Sequence, residues 1–313
     1  MILNIHVEAF MAYSAHFAAD LAAAYPQIPL RLNEPMAVHT TFRIGGPAAC
    51  MALPRSAQQL SELLVFARER EVPVLLLGGG SNLLCPDEGL DCLVIKTKEG
   101  LTNLELIGEN RIRAGSGVTM ARLAQFAAQN GLAGLEFAQG IPGTVGGGIY
   151  MNAGAYGGEM SQVVVRSEAV SRAGEYRTLS GMEHGFSYRK SAYMDTGEVV
   201  VSAEFVLAPD EPSAIRERMQ DLASRRREKQ PLEYPSAGSA FKRPEGAYAA
   251  ALIDQCGLKG LQVGGAAVSE KHAGFIVNLG GATADDVKQL IALVQQRVEK
   301  ETGFCLEPEI RIL

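Results

Sequence analysis

The sequence predicts a globular α+β chain that divides into two or three domains. Its 313 residues match two domains, or three small ones, at roughly 150 residues per domain. Helical and strand-like hydrophobic spacings alternate through the first third, which is typical of an α/β layer. Closely spaced β-branched runs fill the middle third, and a long amphipathic helix is predicted near the C-terminus.

The composition excludes several classes of protein. With 47% hydrophobic and 20% charged residues, the chain is globular rather than disordered. Its 29 basic and 35 acidic residues give a net charge of −6, which disfavours nucleic-acid binding. Five cysteines without a C-x-x-C pair favour reduced thiols in a cytosol over a disulfide framework. No run reaches the ~18 apolar residues of a membrane helix, so we expect a cytoplasmic protein with no membrane partner.

The N-terminal segment predicts an amphipathic helix that ends near Pro26. No Lys or Arg precedes Arg31, and polar residues such as Glu8 and Asp20 interrupt the apolar stretch. A secretory signal needs a basic start and an unbroken apolar centre. We therefore expect that the segment is not a signal peptide.

Helices and strands then alternate as far as residue 130. Apolar residues at helical spacing predict helices over 56–71 and 118–129. Short apolar or β-branched runs predict strands at 72–77, 91–96 and 111–114.

The middle third predicts a sheet, and the last third predicts two helices. Runs at 163–170, 175–179 and 199–207 are closely spaced enough to predict a meander. The APDEP stretch at 208–212 is the best candidate for a domain boundary because two prolines interrupt it.

Charged residues dominate the predicted helix over 213–229. The helix over 283–301 shows the clearest amphipathic pattern. It has Thr283 as N-cap, and Gly303 can end it.

Several common catalytic motifs are absent from the sequence. It contains no G-x-G-x-x-G, no Walker loop and no G-x-S-x-G nucleophile elbow. Its five histidines are scattered without metal-ligand spacing. Hydrolase and metalloenzyme functions therefore lack support.

Three glycine loops point instead to a phosphate-bearing ligand. They lie at 41–47, 78–83 and 142–148, and the last opens a segment, 140–158, with eight glycines in nineteen residues. Successive backbone N–H groups in such loops can converge on a phosphate. A single loop of this kind is more often a tight turn. Three in one chain without a lysine-bearing nucleotide motif favour a diphosphate cofactor held by backbone amides.

Two further segments carry polar side chains suited to an anionic substrate. FSYRKS (186–191) places an aromatic residue beside an arginine, and SAGSAFKRP (236–244) combines a hydroxyl with two cations. The first can equally be a surface turn and the second a solvated loop. The functional interpretation is an anion site with a proton donor.

Seven ordered segments resemble the UDP-N-acetylenolpyruvoylglucosamine reductase (MurB) family. The resemblance runs from about residue 33 to the end and matches the shorter branch of the family. The segments are TTFRIGGPA (40–48), LGGGSNLL (77–84), GIPGTVGGGIYMNAGAYGGE (140–159), FSYRKS (186–191), PSAGSAFKRP (235–244), LIDQCGLKGLQVGGAAVSEKHAGFIVN (252–278) and LEPEIR (306–311).

The resemblance implies a fold, a cofactor and a reaction. The fold would be an FAD-binding fold of the vanillyl-alcohol-oxidase (PCMH) type with a C-terminal α/β substrate-binding domain. FAD would be noncovalent and NADPH the hydride donor. UDP-N-acetylglucosamine-enolpyruvate would be reduced to UDP-N-acetylmuramate in peptidoglycan synthesis. The implied domains are 1–97 and 98–210 for FAD and 211–305 for the UDP-sugar, with a strand at 306–313 returning to the first. We expect a monomer.

The resemblance also assigns site residues. Ser239 would donate the proton, while Arg189 and Glu309 would flank the enolpyruvyl carboxylate and stabilise the charge that develops there. A guanidinium aimed at that carboxylate acts mainly in the transition state. The implied FAD contacts are Arg43, Ile44, Gly45, Gly79, Gly80, Ser81, Asn82, Gly143, Thr144, Val145, Gly147, Asn152 and Ala155. The implied substrate contacts are Tyr188, Lys229, Lys242, Arg243 and His272.

Two other functions remain open at this point. Another flavin oxidoreductase of the same fold would keep the glycine loops, but it has no reason to keep GSAFK and LEPEIR together. A homologue that binds FAD or a UDP-sugar without turnover has no reason to keep Arg189, Ser239 and Glu309 together.

Overall fold

The computed structural model describes residues 13–313, and the first part of the predicted N-terminal helix, residues 1–12, lies outside them. Eight α-helices occur within the described range. They are α1 (Tyr13–Ala24), α2 (Ala57–Glu69), α3 (Met120–Gln129), α4 (Val145–Tyr150), α5 (Tyr193–Thr196), α6 (Pro212–Lys229), α7 (Ala249–Gln255) and α8 (Ala284–Thr302). Short 3-10 turns are found at Met36–Val38, Glu136–Gly140, Met160–Gln162 and Gly181–His184.

Strands alternate with these helices along the chain. They are β1 (Leu30–Pro35), β2 (Pro47–Ala52), β3 (Val74–Leu77), β4 (Leu83–Leu84), β5 (Leu90–Lys96), β6 (Leu104–Gly108), β7 (Arg111–Gly115), β8 (Leu132–Ala133), β9 (Gly154–Ala155), β10 (Gly158–Glu159), β11 (Val164–Val170), β12 (Tyr176–Ser180), β13 (Val199–Val206), β14 (Ala208–Pro209), β15 (Ser236–Ser239), β16 (Gln262–Val263), β17 (Ala266–Val268), β18 (Phe275–Asn278) and β19 (Arg311–Ile312).

The described residues form two compact units. The first contains those up to Leu32 together with Ala49–Gly79 and Asp91–Ser224, and the second contains Asn33–Ala48, Gly80–Leu90 and Arg225–Leu313. Neither unit is continuous in sequence. The division into domains at 1–97, 98–210 and 211–305 stays a prediction.

A four-stranded sheet in the order β1-β2-β5-β3 lies mostly in the first unit. Its strands β3 and β5 are parallel, with Val74 opposite Leu93. Helix α2 begins at the N-cap Ser56, whose hydroxyl accepts from the Gln59 N–H at 3.1 Å. The apolar face of α2 packs with α1 and the sheet in one core that includes Phe17, Leu60 and Ile95.

A five-stranded antiparallel sheet in the order β12-β11-β13-β7-β6 forms the rest of the first unit. The predicted meander is wrong, because β11 lies between β12 and β13. The reason is burial. Strand β13 is buried along almost its whole length and takes a central place, whereas β12 is exposed at every residue except Leu179 and takes the edge.

The second unit packs a four-stranded antiparallel sheet, in the order β15-β18-β17-β16, against α7 and α8. Helix α8 has the predicted caps, since the Thr283 hydroxyl accepts from the Asp286 N–H at 3.0 Å and Gly303 is left-handed. Strand β19 runs parallel to β4. Phe42, Ile44 and Leu84 contribute to the core of this unit.

Most predicted elements are confirmed within one or two residues. The exceptions lie in the glycine-rich segment 140–158, which was predicted as one ordered loop. It contains the short helix α4 and the hairpin of β9 and β10. None of the helices from Tyr13 onward is both long and apolar enough to cross a membrane.

Candidate active site

Two glycine segments of the first unit approach each other more closely than side chains permit. A Cβ placed on Gly79 would lie 2.7 Å from the Cα of Gly143, and one on Gly78 would lie 2.4 Å from the Thr144 Oγ1. Real Cβ atoms do not come this near to a backbone. Strand β3 thus ends against the loop before α4 because both segments present bare backbone.

Two buried hydroxyls lie around the start of α4, one at this contact and one beside Gly146. Thr144 and Ser116 are each 1% exposed, and neither side-chain oxygen has a hydrogen-bond partner within the described residues. A buried hydroxyl without a partner is costly, typically about 1–3 kcal/mol. Ser116 lies opposite Gly146, whose Cβ would fall 2.9 Å from the Ser116 Cβ. The arrangement leaves donors and acceptors for a polar ligand beside the glycine backbone.

Gly147 lies in α4 and, unlike Gly143 and Gly157, does not have a positive φ. Apart from its chain neighbours and its own helix backbone, a Cβ there would meet no described atom closer than the Thr144 Oγ1 at 3.9 Å. The protein itself therefore does not require glycine at this position, so a ligand that approaches the backbone is the remaining physical reason for it.

The residues predicted around α4 contribute in different ways. Val145 is fully buried in the core, so only its backbone can face a cofactor. The Asn152 amide donates to the Ser187 carbonyl at 3.1 Å and accepts from the Ser161 N–H at 2.9 Å. Its side chain is thus committed to protein partners. Ala155 lies in β9 and pairs with Gly158.

The second unit has its own glycine contact. A Cβ on Gly80 would lie 2.0 Å from the His39 carbonyl oxygen, and the Thr41 N–H donates to the Gly80 carbonyl at 3.1 Å. Gly80 and the loop before β2 therefore lie backbone to backbone. Arg43 in that loop has φ +57°, whereas the side chain of Ile44 is buried in the core.

Arg189 occupies the tip of a tight turn in the first unit. Backbone hydrogen bonds of 3.1 Å run in both directions between Ser187 and Lys190, so Tyr188 and Arg189 form a two-residue tip. Arg189 has φ +55°, a region that costs a non-glycine residue of order 1 kcal/mol or more. Its guanidinium carbon lies 5.2 Å from the centre of the Tyr188 ring. A strained, half-buried arginine at the tip of a turn is typical of a functional position.

Ser239 and Glu309 are brought onto neighbouring backbone segments of the second unit. The Glu309 N–H donates to the Ala240 carbonyl at 2.8 Å, and Phe241 forms an antiparallel bridge with Pro308. The register of β15 against β18 shifts between Ser236 and Ser239. Such bulges re-aim side chains, and this one carries Ser239 at its end.

Asn82 also holds Glu309 in place. Its side-chain amide donates to the Glu309 carbonyl at 3.1 Å, and its own carbonyl accepts from the Arg311 N–H at 3.0 Å. The sequence pattern indicated only a phosphate-binding role for Asn82. The resemblance implied a strand at 306–313 that returns to the first part of the chain without naming its partner, and the structure pairs β19 in parallel with β4.

The predicted substrate cations lie in the second unit with different partners. Lys242 forms an ion pair with Glu307 at 3.0 Å, and the Arg243 guanidinium carbon lies 4.0 Å from the centre of the Tyr248 ring. Lys229 is exposed at the end of α6.

His272 is not a cation in this arrangement. Burial lowers the pKa of its imidazole, and its Nδ1 accepts from the Gly274 N–H at 3.1 Å. The ring is therefore neutral at pH 7, and its Nε2–H is a hydrogen-bond donor. His272 can donate to an anion but supplies no charge.

The residues from 13 to 313 contain no cluster of histidine, cysteine and carboxylate side chains that could hold a metal ion. The glycine segments and their buried hydroxyls instead suit a cofactor with phosphates. The predicted substrate residues, such as Arg189, Ser239 and Lys242, suit an anionic substrate.

Comparison with known proteins identifies the family. A family model described as "UDP-N-acetylenolpyruvoylglucosamine reductase, C-terminal domain" matches residues 230–313, and one described as "FAD binding domain" matches residues 48–180. The reductase of Syntrophomonas wolfei is 44% identical over 92% of this chain and 96% of its own length. The chain belongs to the UDP-N-acetylenolpyruvoylglucosamine reductase family.

Further relatives agree with this assignment. The UDP-N-acetylenolpyruvoylglucosamine reductase of Agathobacter rectalis is 46% identical over 95% of this chain and 98% of its own length. The crystal structure of the reductase from Thermus caldophilus has a TM-score of 0.77 and 37% identity, and covers 91% of this chain and 98% of that one. The predicted fold class, with an FAD-binding domain and a C-terminal domain of the reductase family, is confirmed.

The residues present fit the FAD that this family's FAD-binding domain implies. Backbone at Gly79, Gly143 and Gly147 is free of side chains, and the hydroxyls of Ser116 and Thr144 are buried beside it with polar atoms still to satisfy. This is the chemistry that a flavin diphosphate needs from a protein. Ser116 was not singled out from the sequence, because a Gly-Ser-Gly turn after a strand gives no signal of its own.

Proposed function

We propose that this chain reduces UDP-N-acetylenolpyruvoylglucosamine to UDP-N-acetylmuramate in peptidoglycan synthesis, with Arg189, Ser239 and Glu309 as its catalytic residues. The reaction and the use of FAD and NADPH follow from family membership along more than nine-tenths of the chain. The observation that supports the residue roles is the backbone pairing of the two segments that carry Ser239 and Glu309. It consists of the hydrogen bond from the Glu309 N–H to the Ala240 carbonyl and the bridge between Phe241 and Pro308.

FAD held by the glycine segments at 78–82 and 143–148 would supply the hydride that the methylene carbon of the enolpyruvyl group accepts, and NADPH would be the source of that hydride. The electron pair of the double bond then moves to the neighbouring carbon, which also bears the carboxylate and the ether oxygen. This chain's residues must stabilise that charge and deliver one proton to that carbon.

Arg189 is proposed to bind the enolpyruvyl carboxylate. A guanidinium presents two parallel N–H donors that match a carboxylate. Negative charge on that carboxylate group rises as the hydride adds, so the contact is stronger in the transition state than in the bound substrate. The left-handed backbone at φ +55° sets the direction in which the Arg189 side chain leaves the tip of its turn.

Ser239 is proposed to donate the proton. Its hydroxyl is a weak acid, but the carbon that it protonates is a strong base, so placement matters more than acidity. The bulge that ends at Ser239 sets that placement. After transfer, the serine oxygen regains a proton from water.

Glu309 is proposed to act on the enolpyruvyl carboxylate as well. As the neutral acid it donates a hydrogen bond that spreads the developing charge, whereas two ionised carboxylates would repel each other. The backbone of Glu309 is fixed on both sides, by Ala240 at its N–H and by Asn82 at its carbonyl.

The uridine diphosphate is proposed to contact Lys242 and Arg243, with Lys229, Tyr188 and His272 as further contacts. Lys242 and Arg243 already have a carboxylate and an aromatic neighbour, so the phosphates would compete with Glu307 for Lys242. We also propose a cytoplasmic monomer. Size-exclusion chromatography with light scattering tests the oligomeric state.

An anaerobic two-step experiment tests the function. The purified protein should be yellow and bleach on addition of NADPH, and UDP-N-acetylenolpyruvoylglucosamine should restore the colour with release of UDP-N-acetylmuramate. Bleaching without reoxidation by this substrate would indicate a different flavin reductase. A yellow protein that NADPH does not bleach would indicate a binding protein without turnover.

A further inference from the structure

Three buried polar side chains of the first unit form one hydrogen-bonded chain that the reaction above does not use. Ser167 lies on β11, His184 ends the 3-10 turn after β12, and Tyr193 begins α5. The Ser167 hydroxyl lies 2.7 Å from the His184 Nε2 and 2.7 Å from the Tyr193 hydroxyl. All three side chains are at most 1% exposed.

One backbone carbonyl determines which group is the donor in each hydrogen bond of this network. The His184 Nδ1 lies 2.9 Å from the Gly181 carbonyl, which can only accept, so Nδ1 carries the proton. Burial lowers the pKa of His184, so the ring is neutral and its Nε2 accepts. Ser167 must then donate to His184, and Tyr193 must donate to Ser167.

This network closes the base of a loop that carries Arg189. The loop, residues 184–193, is called the arm here. Its two ends, His184 and Tyr193, bond to the single hydroxyl of Ser167, and the Ala192 N–H donates to the His184 carbonyl at 2.7 Å. The His184 ring also stacks on Phe186 with centroids 4.9 Å apart and planes 3° from parallel.

Two more hydrogen bonds tie the arm to the glycine-rich segment. The Asn152 amide donates to the Ser187 carbonyl at 3.1 Å, and the Ser191 hydroxyl donates to the Tyr150 carbonyl at 2.8 Å. Between these contacts lies the tip with Arg189 in its strained backbone conformation. A strained residue persists only where its surroundings hold it, and the buried base of the arm is what holds this one.

We propose that the Ser167–His184–Tyr193 network is a positioning device that holds Arg189 for the second half-reaction. This inference rests on the proposed role of Arg189. The three residues act through the arm and touch neither substrate nor cofactor. Small displacements of a charge-stabilising group cost up to about 10²-fold in rate, so loss of the network slows the step that needs Arg189.

Single-atom changes test this proposal. Ser167→Ala removes the shared hydroxyl, and Tyr193→Phe removes one bond while the ring stays. Ser202→Ala is the matched control, because Ser202 lies on the neighbouring strand β13 and donates to Glu168 rather than to the arm. Tyr193→Phe keeps the test usable if Ser167→Ala fails to fold, since Ser167 still donates to His184.

Stopped-flow measurements on FAD-loaded enzyme separate the two half-reactions. We expect bleaching by NADPH to change less than twofold, while the limiting rate of reoxidation by substrate falls roughly 10- to 100-fold. Amide hydrogen exchange should increase at Ala192 and Lys190 in the variants and stay unchanged with Ser202→Ala. Equal slowing of both half-reactions would overturn the proposal, because a merely structural role damages both.

A double-mutant cycle with Arg189→Lys separates this proposal from the one on which it rests. In the Arg189→Lys background, Ser167→Ala should slow reoxidation by less than twofold further, because the network acts through Arg189. Fully additive losses would overturn the positioning role. If Arg189→Lys alone leaves reoxidation intact, the role of Arg189 itself is refuted, whatever Ser167→Ala does.

Discussion

At the scale of single residues, the site depends on side chains whose surroundings the sequence does not display. FSYRKS and GSAFK indicate an arginine and a serine with chemistry to perform, but not how each is held. The structure places Arg189 on a left-handed tip and Ser239 at a bulge. Left-handed non-glycine residues and β-bulges are both enriched at functional sites.

Arg189→Lys should separate binding of the carboxylate from the rest of catalysis. The lysine keeps the charge but loses the two-pronged donor geometry, and its backbone keeps the same φ requirement. We expect flavin reduction by NADPH to stay near the wild-type rate and reoxidation by substrate to slow by about 10²-fold or more. Stopped-flow absorbance measures both, and equal damage to both steps would mean that Arg189 is structural.

Ser239→Ala should slow proton delivery and leave affinity almost intact. Loss of a positioned general acid typically costs 10²- to 10⁴-fold. Ser239→Cys should recover part of that loss, since a thiol is the stronger acid and of similar size. Reoxidation of pre-reduced enzyme across a substrate series gives the limiting rate and the apparent Kd. A raised Kd with an unchanged limiting rate would make Ser239 a binding residue only.

The burial of His184 should appear in the pH dependence of stability. Its pKa is lowered in the folded protein, while in the unfolded chain it titrates near 6.5. Below that pH the unfolded state binds a proton that the folded state rejects, so this contribution is present above about pH 6.5 and is lost as the pH falls.

Urea unfolding of the wild type and His184→Gln at pH 7 and pH 5 measures this effect. The variant should lose less stability over the interval, because glutamine does not titrate. His272 has its pKa shifted in the same direction, so His272→Gln accounts for the remaining slope. Identical losses in all three proteins would show that neither histidine is responsible.

At the scale of elements, the glycine segments have two separate functions. Gly79 meets the backbone of Gly143, and so it is needed for the fold itself. A Cβ on Gly147 would clash with nothing and would meet only the Thr144 Oγ1, at 3.9 Å, outside its own helix, so glycine is needed there only if something else approaches. A sequence shows both as glycine and does not distinguish them.

Gly147→Val should therefore fold and yet lose its flavin. The added side chain would occupy space that the protein leaves open, where the cofactor approaches the backbone. We expect a thermal midpoint close to that of the flavin-free wild type, with most of the visible flavin absorbance gone. Gly108→Val is the control, because its Cβ lies equally open at 3.9 Å from the nearest described atom, on the edge strand β6. A fully flavinated Gly147→Val protein would refute this placement.

Element types were predictable from the sequence where period and caps agree. Helix α8 has both an apolar face and capping residues, and it lies where the pattern predicts it. The pairing of β13 with β11 was not predictable. Adjacency in sequence favours β12 as the neighbour of β13, and only the difference in burial between β12 and β13 shows that β12 lies at the edge instead. The link from Asn82 to Glu309 was likewise hidden, since it joins segments far apart in the chain.

At the scale of the whole molecule, the family assignment and the local geometry support each other. The two family models cover the FAD-binding part and the C-terminal part of the chain. The catalytic set predicted from the motifs stays a prediction at the level of individual roles. What the structure adds is the hydrogen-bonded support around each member of the set.

Binding of FAD should stabilise the folded protein by linkage. A ligand at one hundred times its Kd that binds only the folded state contributes about 2.7 kcal/mol. We expect protein stripped of flavin to unfold at lower urea concentration and added FAD to restore the midpoint in a concentration-dependent way. Riboflavin, which lacks the diphosphate, is the control and should restore much less. An equal effect of the two would argue against phosphate recognition by the glycine segments.

The discontinuous second unit has a consequence for synthesis on the ribosome. Phe42, Ile44 and Leu84 emerge early, but the core that covers them is supplied by residues after Arg225. More than a hundred residues must be translated before those apolar side chains meet their partners. Closing a loop of that length is entropically costly and slow. During this interval the nascent chain exposes an aggregation-prone apolar segment. A chaperone that binds unfolded chains is the kind of factor that would protect it.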